Sequence, residues 1–280
     1  MDVHALVIDD LIARGLREDL GHGHDITSAA LIPADKKGRA VMRARKAGVL
    51  AGAAIAARVF VMCDAPLDVK IHKGDGAALN PGDDILTITG PARSILTAER
   101  TALNLACHLS GIATETARYV DAVRGTKARI VCTRKTLPGL RAMQKYAVRV
   151  GGGHNHRFGL DDGLLIKDNH IALAGGVAAA LAAARKNAGH MVKVEIEVDT
   201  IAQLEEALAH GADVVLLDNM PPAYLRRAVD MARGRAVTEA SGGITLDTVR
   251  AVAEAGVDII SVGALTHSVV ALDLGLDVDL

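Results

Sequence analysis

Tryptophan is absent from the 280 residues, and three tyrosines and two phenylalanines complete the aromatic complement. A chain so poor in rings has no platform on which successive bases could stack, and a net charge of -1 gives no general attraction for a polyanion. Nucleic acid is therefore not an expected partner. Cysteine is scarce as well: Cys63, Cys107 and Cys132 stand far apart, without C-x-x-C or metal-ligand spacing. That excludes a disulfide framework and a cysteine-based zinc site and fits a reducing compartment. Cys132 reads as a buried, inert strand residue. Long apolar runs are missing, since the most apolar segment, residues 171–184, is alanine-rich and too short to span a bilayer. The opening M-D-V-H-A-L-V-I-D-D has no basic region ahead of an apolar one. A cytoplasmic protein with no membrane partner is expected.

What is present is a soluble, globular composition, 50% hydrophobic and 23% charged, enough for one large or two modest domains. Residues 2–20 have the spacing of an amphipathic helix, with Leu6, Ile8, Leu11, Ile12 and Leu16 on one side. The Gly21-His22-Gly23-His24-Asp25 segment reads as a loop, and its two histidines lack further ligands. Strands are expected at 40–45, 67–72 and 85–88, the last after an Asn80-Pro81-Gly82 turn, and a helix at 52–63. This mixture predicts an α+β open-sandwich domain over 1–112, joined by residues 270–280. A further helix is expected at 94–112. Its second apolar stripe contains Arg100, which predicts an enclosed cation in need of an anion.

From residue 120 the pattern becomes regular. Apolar runs begin near Arg129, Gly163, Val192, Ala212, Ala236 and Val257, mostly continuous, as in parallel strands buried on both faces. Helices between them carry start signals: Pro138, the Thr200-x-x-Gln203 capping box, Pro221-Pro222, and Thr245. These runs imply an α/β domain over 113–269, an incomplete, about six-stranded β/α barrel. No G-x-G-x-x-G opens a helix, which argues against a dinucleotide fold.

Cations gather where the apolar runs break: Arg134 and Lys135, then His154, His156 and Arg157 after three glycines, then Lys167 and His170. Several cations aimed at one place imply an anion with more than one acidic group. Carboxylates follow on later strand ends: Glu197 and Asp199, Asp218, then Glu239. Glu197 and Asp218 suit sugar hydroxyls or a hard cation such as Mg²⁺. The last two ends are glycine-rich, Ser241-Gly242-Gly243 and Gly263-Ala264, a setting for phosphate. A phosphate cradle, a cationic wall and two carboxylates fit phosphoribosyl diphosphate with a small acid.

Three motifs, T-R-K-T-L-P-G-L-R at 133–141, G-G-G-H-N-H-R at 151–157 and L-I-K-D-N-H at 165–170, resemble the signature of the quinolinate phosphoribosyltransferase (decarboxylating) family. Matching features run from Glu18-Asp19-Leu20 to Gly263. The resemblance implies transfer of phosphoribosyl from phosphoribosyl diphosphate to quinolinate, with loss of CO₂, to give nicotinate mononucleotide for NAD synthesis. It implies that Thr133, Arg134, His156, Arg157 and Lys167 bind quinolinate, joined by Arg100 from the other subunit of a homodimer. It assigns Lys135, Glu197 and Asp218 to phosphoribosyl diphosphate and its Mg²⁺, and Ser241, Gly242, Gly243, Gly263 and His267 to phosphate. Lys135, Lys167, Glu197 and Asp218 are the expected catalytic set. No role follows for His22, His24, His154 or Glu239. Three other readings stand beside it: a molybdenum-transport-accessory-like paralogue with another acceptor, a Schiff-base barrel enzyme using Lys167, and a binding protein without turnover.

Overall fold

A computed structural model describes residues 3–63 and 65–279. The chain divides into two compact units. The first takes the described residues up to Ala117, then Thr136–Gly152 and Leu265 onward; the second takes Arg118–Lys135 and Gly153–Ala264. The sequence reading had left residues 136–152 with the barrel.

Helix α1, Ala5–Leu20, buries Ile8, Ile12 and Leu16 at four-residue spacing and ends at Gly21. The histidine-glycine turn leads into a short α2, Ile26–Leu31, that apolar spacing does not announce; Asp25 caps it by accepting from the Ser28 N–H at 2.9 Å. Then come β1 (Lys37–Ala44), β2 (Gly48–Val49), α3 (Ala53–Val61), β3 (Asp68–Ile71), β4 (Ala78–Leu79) and β5 (Asp84–Pro91). Asp75, which reads as a surface charge in the sequence, accepts from the Ala53 N–H at 2.8 Å and so caps α3 from a distant loop.

Helix α4, Ala92–Ala122, runs for 31 residues, ten past the expected end. Gly111 invites a stop there, but it serves a close approach: a Cβ would lie 2.3 Å from the Val270 carbonyl. Its buried stripe continues through Thr116 and Tyr119.

The remaining elements are β6 (Arg129–Val131), α5 (Arg141–Val150), β7 (Leu164–Ile166), α6 (Asp168–Ala174), α7 (Val177–Asn187), β8 (Val194–Val198), α8 (Ile201–Ala209), β9 (Val214–Asp218), α9 (Pro222–Ala232), β10 (Val237–Ser241), α10 (Leu246–Glu254), β11 (Ile259–Ser261), α11 (Ala264–His267) and β12 (Leu274–Asp279). Thr200 and Gln203 form the expected capping box on α8, and α9 starts at Pro222. The first unit holds an antiparallel sheet in the order β12-β1-β5-β3. The second holds six parallel strands in the order β6-β11-β10-β9-β8-β7. β6 pairs with the last strand of the series, as at the seam of a barrel, while β6 and β7 do not pair with each other. This is the incomplete barrel. The gap edge of β6 is met by His154, whose backbone N–H donates to Ile130 at 2.9 Å and whose carbonyl accepts from Cys132 at 3.1 Å. Among the described residues no helix is long and apolar enough to cross a membrane.

Candidate active site

The C-terminal ends of β6 to β10 surround a cleft of about 590 Å³ within the second unit. Thr133, Arg134 and Lys135 reach it from the end of β6, His156 and Arg157 from the loop that follows His154, and Lys167 from the end of β7. Glu197 and Asp218 line it from the ends of β8 and β9, with Ser241, Gly242 and Gly243 at the end of β10. With Glu239, twelve of the residues singled out from the sequence therefore line one cavity. Gly263 lies between β11 and α11, while Arg100 and His267 belong to the first unit.

Arg100 corrects an expectation. Its side chain is 63% exposed and its recorded carboxylate neighbour is Glu99 at 4.0 Å, so in this chain it is not enclosed. Leu96 and Cys107, which share its stripe, are only half-buried. His267 turns its Nδ1 to the Ser268 hydroxyl at 2.6 Å. Cys132, the residue just after β6, is fully buried, as the sequence predicts.

Along the mouth, Lys167 Nζ meets Glu197 Oε2 at 2.8 Å. The Asn219 side-chain amide donates to Asp218 Oδ2 at 2.5 Å. Asn219 has φ 52°, and it is the non-glycine residue with positive φ among those described. Strain of this kind collects where a side chain must be aimed. Gly242 accommodates it: a Cβ there would sit 2.2 Å from Asn219 Oδ1, and its own φ of 93° favours glycine.

Deeper in, the charges are incompletely satisfied. The Nε atoms of Arg134 and Arg157 are buried without a hydrogen-bond partner. Arg157 Nη1 donates to the Gly163 carbonyl at 2.8 Å, and burial together with the Arg134 charge pulls its guanidinium below its ordinary value. Such unmatched donors are costly unless an anion arrives to accept from them.

Beside Arg157 lies a pair of acids: Glu239, a strand-end carboxylate to which the sequence gives no role, and Glu195, which strand-end reasoning passes over. Glu195 and Glu239 are buried in β8 and β10, and each leaves one Oε1 without a partner. His156 Nε2 stands 3.2 Å from Glu195 and 3.6 Å from Glu239. Its Nδ1 accepts the Arg157 backbone N–H at 2.7 Å, so the ring proton resides on Nε2 and points at the acids. Burial and the neighbouring Glu195 carboxylate push Glu239 up to about 7, against the pull of His156 and the Ser261 hydroxyl. The V-E-I-E-V sequence of β8 held the clue, because strict alternation sends Glu195 and Glu197 to one face. Reading the run as continuous hid it.

Residues 25–110 match the N-terminal domain, and residues 112–277 the C-terminal domain, of quinolinate phosphoribosyl transferase. The chain belongs to the quinolinate phosphoribosyltransferase family. It is 51% identical over 273 residues to the nicotinate-nucleotide pyrophosphorylase [carboxylating] of Mycobacterium leprae, covering 96% of each chain. It is 46% identical to the probable enzyme of that name in Bacillus subtilis, over 98% of this chain and 94% of that one. In structure it is similar to the NadC protein of Streptococcus pyogenes, with a TM-score of 0.94 and 42% identity over the whole of both chains. The nicotinate-nucleotide pyrophosphorylase of Francisella tularensis gives 0.95 and 40%, over 99% and 98%.

Proposed function

We propose that this cleft transfers phosphoribosyl from phosphoribosyl diphosphate to quinolinate with decarboxylation, giving nicotinate mononucleotide, diphosphate and CO₂ for NAD biosynthesis. The observation that carries the reading is the pair of buried, unmatched guanidinium donors on Arg134 and Arg157. Two adjacent carboxylates on one small ring are a matching acceptor set. Thr133 and Lys167 flank that position. The backbone at Ser241, Gly242 and Gly243 is suited to the 5′-phosphate, with Gly263 and His267 as its expected continuation.

In the reaction the ring nitrogen attacks C1 of the ribose while diphosphate leaves, through a transition state with oxocarbenium character. The carboxylates of Glu197 and Asp218 favour positive charge developing on the sugar, and Lys135 favours the departing diphosphate. Quaternising the ring nitrogen makes the adjacent carboxylate easy to lose, since the positive nitrogen stabilises the electron pair left on carbon. The protein's part is to hold, orient and neutralise, and no covalent nucleophile is required.

Glu197 and Asp218 also fit Mg²⁺, being two carboxylates on successive strand ends, a small protein share that leaves the remaining positions to phosphate oxygens and water. When bound, that ion would offset charge on the diphosphate. The assembly in this reading is a homodimer at least, with Arg100 supplied to each cleft by the partner subunit, acting in the cytoplasm. Its exposure in the single chain supports this, because a cation of that kind is free to face a neighbour.

The test is release of CO₂ from carboxyl-labelled quinolinate by the purified protein. Release dependent on both phosphoribosyl diphosphate and Mg²⁺ is expected. A protein that releases none, or that uses nicotinate equally well, overturns the proposal.

A further inference from the structure

We infer that Glu195 and Glu239 are positioning residues for the acid-binding half of this cleft, anchoring the 154–157 segment through His156. The inference rests on the reading above and adds two residues to it. Its starting point is the gap between β6 and β7, where a closed barrel would have had a neighbouring strand. The segment in that gap makes only a single-residue bridge to β6, through the backbone of His154. One bridge leaves the next three residues unsupported by any sheet, yet Arg157 must present a guanidinium at a fixed place.

His156 supplies the missing support. Its Nδ1 accepts the Arg157 N–H, and its Nε2 lies 3.2 Å from Glu195 Oε2, with the Glu239 carboxylate next to it at 3.6 Å. With both nitrogens engaged, the ring is a strut rather than a cation offered to ligand. Glu195 and Glu239 come from β8 and β10, and Ser261 of β11 hydrogen-bonds to Glu239. Three strands therefore share in fixing one loop. The acids also lie close enough to Arg157 for Glu195 to act on its charge, which counters the repulsion between Arg157 and Arg134 before any ligand enters.

One His and two Glu ligand atoms within 4.8 Å of one another also have the make-up of a metal site. The adjacent Arg134 and Arg157 charges argue against it: a divalent ion here would add to two cations already short of anions. The Nε2 proton of His156 occupies the place the ion would take.

Glu239→Ala, Glu195→Ala and Glu239→Gln decide the matter, read by calorimetric binding of each substrate separately alongside steady-state KM values. Loss of one anchoring carboxylate is expected to weaken quinolinate roughly tenfold in either alanine variant. Binding of phosphoribosyl diphosphate should stay within about twofold, and Glu239→Gln, which keeps the shape and an acceptor, should recover most of the loss. Equal weakening of both substrates, or quinolinate affinity unchanged in the alanine variants, overturns the inference. If the alanine variants do not fold, Glu195→Met and Glu239→Met, which keep the side-chain length but remove the acceptor, carry the same comparison. A stoichiometric transition metal in the purified wild type, lost in Glu239→Gln, also overturns it. These outcomes are separate from the functional reading: a wild type that binds neither substrate nor releases CO₂ breaks that reading, whereas an active wild type with indifferent variants breaks this one alone.

Discussion

Two groups of charged residues in this molecule are built from the same side chains and do opposite things. On the antiparallel sheet, Arg43 donates to Asp84 at 2.6 Å and to Asp277 at 3.1 Å, and Arg45 donates to the other Asp277 oxygen at 2.5 Å. These side chains are 30–45% exposed, and Asp277 is held below the usual carboxylate range by Arg45 first and Arg43 second. In the cleft, Glu195 and Glu239 are only 11% and 3% exposed, and both they and the two arginines retain an unmatched atom. The first group is saturated and wet, so it has nothing left to offer a ligand. The second is dry and short of partners, and that deficit is what a substrate can fill.

Arg100 belongs to neither group, being exposed and poorly paired, and it gives the largest contrast. If each cleft borrows Arg100 from a partner, a heterodimer of Arg100→Ala and Lys167→Ala regains one working site from two inactive parents. Co-expression and assay of the purified heterodimer should show activity near half that of the wild type. A dead heterodimer returns Arg100 to its own subunit's site or to a structural role.

Next in size is the effect of removing one unmatched donor. Arg134→Ala or Arg157→Ala should weaken quinolinate by about tenfold to a hundredfold, as for loss of a charge-assisted hydrogen bond, and phosphoribosyl diphosphate far less. Calorimetry with quinolinate in excess checks it; unchanged affinity in both variants removes these residues from the acid site.

A smaller effect follows from Glu239, pushed up to about 7 by burial and by Glu195, from an ordinary 4.5. Between those values the folded chain holds a proton that the unfolded chain has released. Stability from this group is therefore present below the lower value and lost as pH rises through the upper one. Glu239→Gln stays neutral throughout, so its Tm should fall less than that of the wild type on going from about pH 5 to about pH 8. Parallel Tm curves would mean the carboxyl is ionised across the range.

The smallest change is expected from the saturated group. Asp277→Asn leaves the cleft untouched and removes charge from a screened, exposed network, so turnover should be that of the wild type and Tm lower by a few degrees at most. A large loss of activity would erase the distinction between the two groups.

The sequence displayed the rims of the barrel and concealed its floor. Strand ends are legible because an apolar run stops there and a charge begins, as at Lys135, Lys167, Glu197 and Asp218. Glu195 sits inside such a run, where a charge reads as an interruption rather than as a member of a face, and Glu239, legible at a strand end, has partners that the sequence does not show. The His156 ring shows a second limit: its residue type suggests a cation offered to a ligand, and only the partners at its two nitrogens show an anchored ring. Arg100 shows a third, since spacing along α4 places it in an apolar stripe whereas exposure depends on what packs against that stripe. The long α4 was half legible, its Gly111 being there for the approach of residue 270 and not for a stop.

The pairing of β1 with β12 has a consequence for how the chain is made. Along its length β1 is bonded on one side by β5, a near neighbour in sequence, and on the other by a strand that leaves the ribosome more than two hundred residues later. Until residue 274 has emerged, the nascent first sheet carries an open edge with its N–H and C=O groups unmet, long after its own hydrophobic face is complete. Synthesis of the entire barrel falls within that interval. The antiparallel sheet, first to begin and last to finish, is thus the part of this protein most in need of protection while it is being translated.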